Sequence, residues 1–174
     1  MKVIEFDGLK IKEANAYIPP FTLSRGEIVN LVLFGGSHYF KAVEKIVEIL
    51  DENFSYAQLE KVSHSMTVKS YIKKYVQLDK SIVTFFIDFS NRDKLCVKNL
   101  TTYERRVLEI LTAFSKSDKI LFHLVGISPI EEEKIISTLQ QVVKSNHYSA
   151  ILLNNFESNE NRFDKTIKLI KTNT

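Results

Sequence analysis

The residues best suited to hold a ligand are Gly35 and Gly36, followed by Ser37, which lie between an apolar run and an amphipathic run. A strand, a glycine turn and a helix start can bind phosphate through backbone N–H groups and the positive end of the helix dipole. A lysine normally completes such a loop, but Tyr39 stands in that place. Lys41 does not replace it, because two residues along a helix rotate a side chain by about 200°. The stretch is therefore either a weak anion site or an ordinary tight turn.

The other reactive side chains form no recognisable catalytic or metal-binding set. The chain has one cysteine, Cys96, and four histidines without the spacing of metal ligands. His123 lies within an apolar run, so we expect it to be a hydrogen-bonded core residue. No nucleophile–base pair and no paired carboxylates stand out, although residues distant in sequence could converge in the fold. We therefore predict no catalytic residues and no metal site.

Composition and charge limit the class of protein and its partners. With 174 residues, 44% hydrophobic and 26% charged, the chain matches one globular domain over residues 1–174. The net charge of +3 is small and no basic run alternates with aromatic residues, so we predict no nucleic-acid partner. No apolar run approaches the ~20 residues of a membrane span, and no signal-peptide pattern is visible, so we expect a cytoplasmic location.

Hydrophobic periodicity predicts a strand before the glycine turn and a helix after it. Residues 27–34 have the character of a buried strand. Apolar residues then recur at helical spacing from Tyr39 to Leu50, with Ser37 as the N-cap. Arg25-Gly26 predicts a hairpin turn between this strand and the preceding FTLS segment.

The rest of the sequence predicts helices alternating with strands. The segments MTVKSYIKKYVQL and SIVTFFIDF favour helices, although the second is also compatible with a strand. Two capping boxes, Thr101/Glu104 and Ser128/Glu131, open further helices. The remaining predicted elements are strands at 119–126 and 149–155 and a short amphipathic helix at 163–171. This alternation predicts an α/β fold with a mostly parallel sheet covered on both faces.

Taken in chain order, these segments resemble the ATPase domain of ABC transporters. Residues 25–31, RGEIVNL, resemble the G-E-I-x-x-L strand that leads into the family's Walker A loop, G-x-x-G-x-G-K-S-T. The loop falls on residues 33–41, where Gly36 and Ser37 match. The departures are Leu33 and His38 at two glycines, Tyr39 at the lysine, and Phe40 at the hydroxyl residue that would hold magnesium.

The counterparts of the glutamine loop and the signature segment also keep the family's order along the chain, but they lack characteristic residues of the family. Gln58 takes the place of the glutamine that couples the family's nucleotide site to the transporter. Residues 100–106, LTTYERR, resemble the signature L-S-G-G-E-x-x-R. Its counterpart here consists of Thr101 and Glu104, with Thr102 and Tyr103 in place of the two glycines.

The Walker B strand and the segments after it complete the resemblance. Residues 119–125, KILFHLV, occupy the place of this strand, but Leu124 and Val125 replace its acidic pair. Residues 126–129, GISP, resemble the G-L-D-P that follows it, and Asn155 stands where the family has a histidine. The resemblance therefore covers most of the chain while the residues of the chemistry are lost.

The resemblance implies a P-loop NTPase-like fold: a mostly parallel sheet flanked by helices, a reduced antiparallel β region and a helical insertion. The insertion, a helical subdomain, would cover roughly residues 60–105. Residues 35–39 would be a vestigial nucleotide loop, in which His38 and Tyr39 add bulk where a phosphate needs space.

The resemblance also implies what this chain has lost and what it retains. In the family each ATP lies between the Walker A loop of one subunit and the signature of the other, and this chain departs from both. We therefore expect no hydrolysis and no tightly bound cofactor, with ATP binding weak at most.

A partner is the remaining route to a function. The resemblance implies contacts with a membrane permease or another ATPase subunit, a homodimer being a further alternative, and a cytoplasmic or peripheral place at the inner face of the membrane. A weak nucleotide- or anion-binding regulator that uses the glycine loop remains the alternative function.

Overall fold

The structure is a computed structural model that describes residues 2–12, 15–33, 35–36, 38–86, 90–156 and 162–171. At its centre lies a five-stranded sheet in which every pair of neighbours is parallel. Its strands are β5 (Ile28–Val32), β6 (Ser55–Tyr56), β7 (Lys119–Phe122), β8 (Ser149–Asn154) and β9 (Lys165–Lys168). They lie in the order β6-β7-β8-β5-β9. The predicted α/β class with a parallel sheet is therefore confirmed.

Two small antiparallel sheets share a hydrophobic core with one face of this parallel sheet. One pairs β1 (Lys2–Phe6) with β4 (Phe21–Ser24). The other has three strands, β2 (Leu9–Ile11), β3 (Ala16–Ile18) and β10 (Ile170–Lys171), with β3 in the middle. The antiparallel region is thus built from short segments at both ends of the described chain.

Helices flank the parallel sheet because its central strands are apolar on both faces. They are α1 (Tyr39–Leu50), α2 (Val68–Tyr75), α3 (Lys80–Phe86), α4 (Thr102–Phe114) and α5 (Pro129–Asn146). Every residue of β5 and β8 is buried. Alternate residues serve different cores: Ile28 packs with α4 and α5, whereas Val29 packs with α1 and the antiparallel strands.

Two helix starts follow the predicted chemistry closely. Thr101 accepts from the backbone N–H of Glu104, whose side chain accepts in return from the Thr101 N–H. Ser128 and Glu131 form the same reciprocal pair at the start of α5. Both capping boxes, and the helix in SIVTFFIDF over its described part, are confirmed. No helix of the described residues is long and apolar enough to cross a membrane.

The predicted hairpin at Arg25-Gly26 is wrong, although the turn itself exists. Gly26 has a φ of +82° and donates its N–H to the Tyr148 carbonyl at 2.7 Å. This bond directs the chain into the parallel sheet beside β8, while β4 stays with β1. Turn chemistry identifies a reversal, but the pairing of the strands is decided by distant partners.

The predicted helix at 163–171 is also wrong, because the described part of this segment contains β9 and β10. β5 is buried on both faces and needs hydrogen-bond partners along both edges, and β9 supplies the second edge. The sheet therefore overrides a weak helical pattern in a segment of nine residues. The predicted N-cap Ser37 lies outside the described residues, and His38 occupies the N-cap position of α1 without a side-chain cap bond.

Candidate functional site

The carboxyl ends of β5, β7 and β8 bring the predicted site segments to one edge of the sheet. The glycine loop follows β5, Leu124 and Val125 follow β7, and Asn155 follows β8. Open parallel sheets bind ligands outside the carboxyl ends of their strands, so this edge is the place to test for a site.

Tyr39 is the central side chain of this edge. It lies in the first turn of α1, is only 3% exposed, and donates its hydroxyl to the Leu153 carbonyl of β8 at 2.7 Å. Burial raises the pKa of Tyr39 well above its ordinary value, so the hydroxyl remains a donor. Phe40 points outward instead, with 59% of its surface exposed. The side chain at the position of the family lysine is therefore a buried part of the core.

The glycine loop keeps a bend that only its glycines allow. Gly36 has a φ of +111°, which L side chains rarely adopt, although a Cβ added there would meet no atom within 4 Å. A Cβ at Gly35 would lie 3.2 Å from the Asn155 carbonyl oxygen. Gly35, Gly36 and His38 are exposed, and Ser37 lies outside the described residues.

An ion pair that sequence analysis missed lies beside Tyr39. Arg106 of α4 donates from Nη1 to Oε2 of Glu109 at 2.5 Å and from Nη2 to the Val125 carbonyl at 3.4 Å. Their side chains are only 19% and 10% exposed, respectively. The contact with Val125 places the guanidinium against the segment where the family has acidic residues.

Two further polar side chains, Tyr56 and His123, complete this cluster at the ends of β6 and β7. Their rings lie 6.2 Å apart, and His123 Nδ1 accepts from the Val125 N–H at 3.3 Å. Burial, together with the charge of Arg106, lowers the pKa of His123 to about 4. Burial raises the pKa of Glu109, which the charge of Arg106 opposes. His123 is thus neutral at neutral pH and hydrogen-bonded as predicted, but it is half-buried at the end of β7 and not a fully buried core residue.

The spacing of Arg106 and Glu109 was the available signal for this cluster. Residues three apart on a helix face each other, and every residue of α4 from Val107 to Phe114 is buried. A carboxylate inside such a segment needs a nearby cation, and both Arg105 and Arg106 lie within reach along the helix, Arg106 being the one that bonds to it. Its approach to Val125 depends on tertiary packing and leaves no trace in the local sequence.

The four residues of the signature counterpart serve mainly to start α4. Thr101 and Glu104 form the capping box, and Glu104 also accepts from Arg92 at 2.8 Å. The Thr102 methyl lies 3.6 Å from the position of a Cβ at Gly126, and the Lys134 ammonium lies 5.4 Å from the Tyr103 ring centre. This segment therefore lies beside the loop that follows β7. Gln58 is separate: it is exposed and lines a polar groove of about 410 Å³ with Tyr56 and Lys116.

The donor set of this edge does not fit a magnesium–nucleotide complex. Magnesium requires hard oxygen ligands, but Leu124 and Val125 are apolar and Leu124 is buried. The Glu109 carboxylate of this cluster is already paired with Arg106, and the Tyr39 ring occupies the position of the loop lysine with its hydroxyl bonded to Leu153. Among the described residues no group of three or more His, Cys, Asp or Glu could hold a metal ion.

Comparisons with known proteins identify the fold. No family model matches the sequence, and no curated protein matches it significantly. Among solved structures, an ABC transporter of the metal-chelate type, in an inward-facing conformation, aligns at 14% identity and a TM-score of 0.70, covering 99% of this chain and 82% of the other. A nucleotide-free ATP-binding cassette from an ABC transporter aligns at 12% identity and 0.67, covering 98% and 88%. The cbiO1 protein of Clostridium perfringens, part of the ABC transporter complex cbiONQ, aligns at 13% and 0.63, covering 98% and 84%. The chain therefore has the fold of ABC-transporter ATP-binding subunits, which confirms the predicted resemblance.

His123 provides a test of the buried cluster through its pH dependence. Since its pKa is about 4 in the fold and ~6.5 in an unfolded chain, the unfolded state binds more protons between these values. Stability should therefore fall by roughly 1–3 kcal/mol from this group as the pH falls from 6.5 to 4. The His123→Asn variant keeps an amide oxygen that can accept from the Val125 N–H but has no titratable ring. Urea unfolding at several pH values should therefore show that the loss of stability due to His123 between pH 6.5 and 4 disappears in this variant. His64→Asn, at an exposed histidine, serves as the control, and an unchanged pH profile in His123→Asn would contradict the assignment.

Proposed function

We propose that this protein is a non-hydrolytic relative of ABC-transporter ATP-binding subunits that acts through contacts with a membrane permease or an ATPase subunit. The observation that carries the proposal is Tyr39, which is buried at the position of the loop lysine and bonded to Leu153. A side chain so placed belongs to the folded core and does not reach toward a ligand. The fold is kept while its nucleotide chemistry is absent.

The other losses support the same function. Val125 and Asn155 replace the groups that would position water and stabilise charge, and the removal of one such group typically costs orders of magnitude in rate. Pairing with an active subunit would not repair the site, because the family's shared site draws on both subunits. The Walker A half of that site differs from the family at Tyr39, and the signature half differs at Thr102 and Tyr103.

Exposed apolar side chains support a role in contacts. Phe40, Ile130 and Phe156 are 59%, 83% and 51% exposed. Phe40 and Ile130 lie in the first turns of α1 and α5, the helices that follow β5 and β7 by way of a loop, and Phe156 lies shortly after β8. Exposed apolar groups at one edge favour a protein partner over water. We propose that the chain forms one domain, with the helices of residues 60–105 as its subdomain, and that the partner holds it at the inner face of the membrane.

The test of this function is capture of the partner. The tagged full chain is expressed in its own cells, cross-linked and purified with detergent-extracted membranes. We expect a multi-span permease or an ATPase subunit with the natural chain, and less than about a tenth of it with Ile130→Glu, since a charge there cannot be buried in a contact. Ile170→Glu, at an exposed residue of β10, is the matched control. A monomer that captures neither class of protein would contradict the proposal.

Hydrolysis provides a separate prediction. The purified protein should release no phosphate from ATP with magnesium above the background of the buffer, because the ligands and the charge-stabilising groups are missing. The assay compares the natural chain with Gly36→Val, whose side chain is strained at a φ of +111°. A magnesium-dependent rate that this substitution abolishes would overturn the prediction.

One observation favours the alternative of a weak anion-binding regulator. Gly36 keeps its left-handed conformation, is exposed, and has open space around it. Thermal unfolding with millimolar ATP, ADP or inorganic phosphate tests this alternative. An upward shift that Gly36→Val removes would support it, and the absence of any shift would exclude it.

A further inference from the structure

The outer edge of β2 is a strand edge without a neighbouring strand. In its three-stranded sheet β2 pairs with β3 alone, because β3 lies in the middle and β10 on its far side. Residues of an antiparallel pair alternate between those that bond to the partner strand and those that face away from it. Among the described residues, no backbone hydrogen bond joins Leu9, Lys10 or Ile11 to a segment other than β3. β2 therefore presents backbone groups with which another strand can pair.

A groove of about 480 Å³ runs along this edge, between β2 and the C-terminal half of α1. Its lining residues are Leu9 and Lys10 of β2, Lys12 just after it, and Lys45, Glu48 and Ile49 of α1. No residue of β3 lines the groove, which places it on the open side of β2. Ile49 is 47% exposed and Leu9 is half-buried, so two apolar side chains of the groove remain in contact with water.

The charge of this groove is mainly positive. Lys10, Lys12 and Lys45 are exposed, and none of them makes an ion pair or a side-chain hydrogen bond with another described residue. Against these three lysines, the lining residues include one carboxylate, that of Glu48. A second copy of this edge would bring Lys10 against like charges, whereas an acidic segment would bring opposite charges. The charges therefore favour an acidic partner over self-association.

We propose that this edge binds an extended acidic segment of another protein, which adds to β2 as a fourth strand of its sheet. The backbone groups of β2 supply the hydrogen bonds of the ladder, and alternate side chains of the bound segment supply specificity. Its carboxylates lie against the lysines, and an apolar side chain covers Leu9 and Ile49. This surface lies toward the end of α1 opposite Phe40, so it is independent of the partner contacts proposed above.

Selection of random octapeptides displayed on phage against the natural full chain tests the chemistry of the bound segment. We expect the selected peptides to contain Asp and Glu in excess over the starting library, together with apolar residues. Fluorescence anisotropy then measures the Kd of a selected peptide for the natural chain and for charge-reversal variants. Selected peptides without an acidic excess would overturn the proposal.

The charge-reversal variants locate the binding surface. Lys10→Glu/Lys45→Glu should weaken binding by about tenfold or more, because it reverses two charges that face the peptide. The matched control is Lys61→Glu/Lys73→Glu, which reverses two exposed lysines outside the groove and should change Kd by less than about twofold. An equal Kd in the two variants would overturn the proposal.

Two N-methylated forms of a selected peptide test whether it binds as a strand. One form is methylated at the odd-numbered backbone nitrogens and the other at the even-numbered ones. Because a strand directs successive N–H groups to opposite sides, only one of the two forms should lose binding, by about tenfold or more. Equal loss or equal retention of binding in the two forms would overturn the proposal.

Vesicles containing phosphatidylserine and a DNA duplex are the remaining probes. Each is measured with the natural chain and with Lys10→Glu/Lys45→Glu. Binding of either probe that depends on these lysines, with no binding of acidic peptides, would overturn the proposal and assign the groove to that ligand. Capture of a permease or an ATPase subunit does not enter these measurements, so the failure of this inference and the failure of the proposed function are distinguishable.

Discussion

Replacing Arg106 by methionine is expected to destabilise the protein by about 3 kcal/mol at neutral pH. Removal of one partner of a buried ion pair leaves the other charge without compensation, which typically costs ~3–5 kcal/mol. The lower end applies because the Arg106 side chain is 19% exposed and the Glu109 side chain 10%. The Arg106→Met/Glu109→Leu variant should lie within about 1 kcal/mol of the natural chain, since apolar groups of similar volume can replace such a pair. Urea unfolding of the variants measures both values.

The pH dependence separates this explanation from a simple loss of packing. Burial already raises the pKa of Glu109, and the loss of Arg106 should raise it further. A group with a raised pKa in the folded state stabilises at low pH, and that stabilisation is lost as the pH rises. The deficit of Arg106→Met should therefore be smaller at pH 5 than at pH 7. The charge of Arg105 acts on Glu109 more weakly than that of Arg106, so Arg105→Met should show a smaller deficit of the same kind, and a deficit of Arg106→Met that is independent of pH would contradict the prediction.

Most of the fold could be predicted because its signals are local. β5 and β8 are continuous apolar runs, which predict strands buried on both faces. The capping boxes at Thr101 and Ser128 place the starts of α4 and α5, because the residues that satisfy those helix ends are three positions apart. Sequence alone also predicts that the strands alternate with helices, from which the parallel sheet follows.

The errors fall where distant segments decide the structure. FTLS and β5 are adjacent in sequence but belong to different sheets, because the Gly26 N–H bonds to Tyr148. Within residues 163–171, β9 forms because β5 needs a neighbour on its outer edge, and β10 forms because it pairs with β3. The Arg106 contact with Val125 joins residues 19 apart, and no periodicity within α4 predicts it. Such contacts depend on how the elements assemble.

At the candidate site, the sequence predicts that the phosphate-binding lysine is lost, and the structure shows that the tyrosine in its place supports the fold. The amino-acid sequence shows that position 39 is not a lysine, but it does not show where the tyrosine side chain lies. The structure places its ring in the core and its hydroxyl on β8. A residue that only failed to bind phosphate would tolerate many replacements, whereas one that supports the fold would not. This difference can be measured.

Tyr39→Ala should therefore destabilise the protein by about 4 kcal/mol, because truncation of a buried aromatic side chain leaves a cavity and typically costs ~3–5 kcal/mol. Tyr39→Phe keeps the ring and removes only the bond to Leu153, which should cost about 1 kcal/mol. Phe40→Ala, at the exposed neighbour, should change stability by less than about 0.5 kcal/mol. Urea unfolding of the three variants measures the loss in the free energy of unfolding for each and so tests the expected order.

The order of these variants distinguishes a core residue from a remnant of a binding loop. If Tyr39→Ala and Phe40→Ala had equally small effects, Tyr39 would be a surface residue of an open loop, and a ligand could enter beside it. A large cost for Tyr39→Ala with a small one for Tyr39→Phe means that the volume of the ring, more than its hydroxyl, fills the space under the loop. Any mutation that reopens a phosphate site would then have to remove a side chain on which the fold depends.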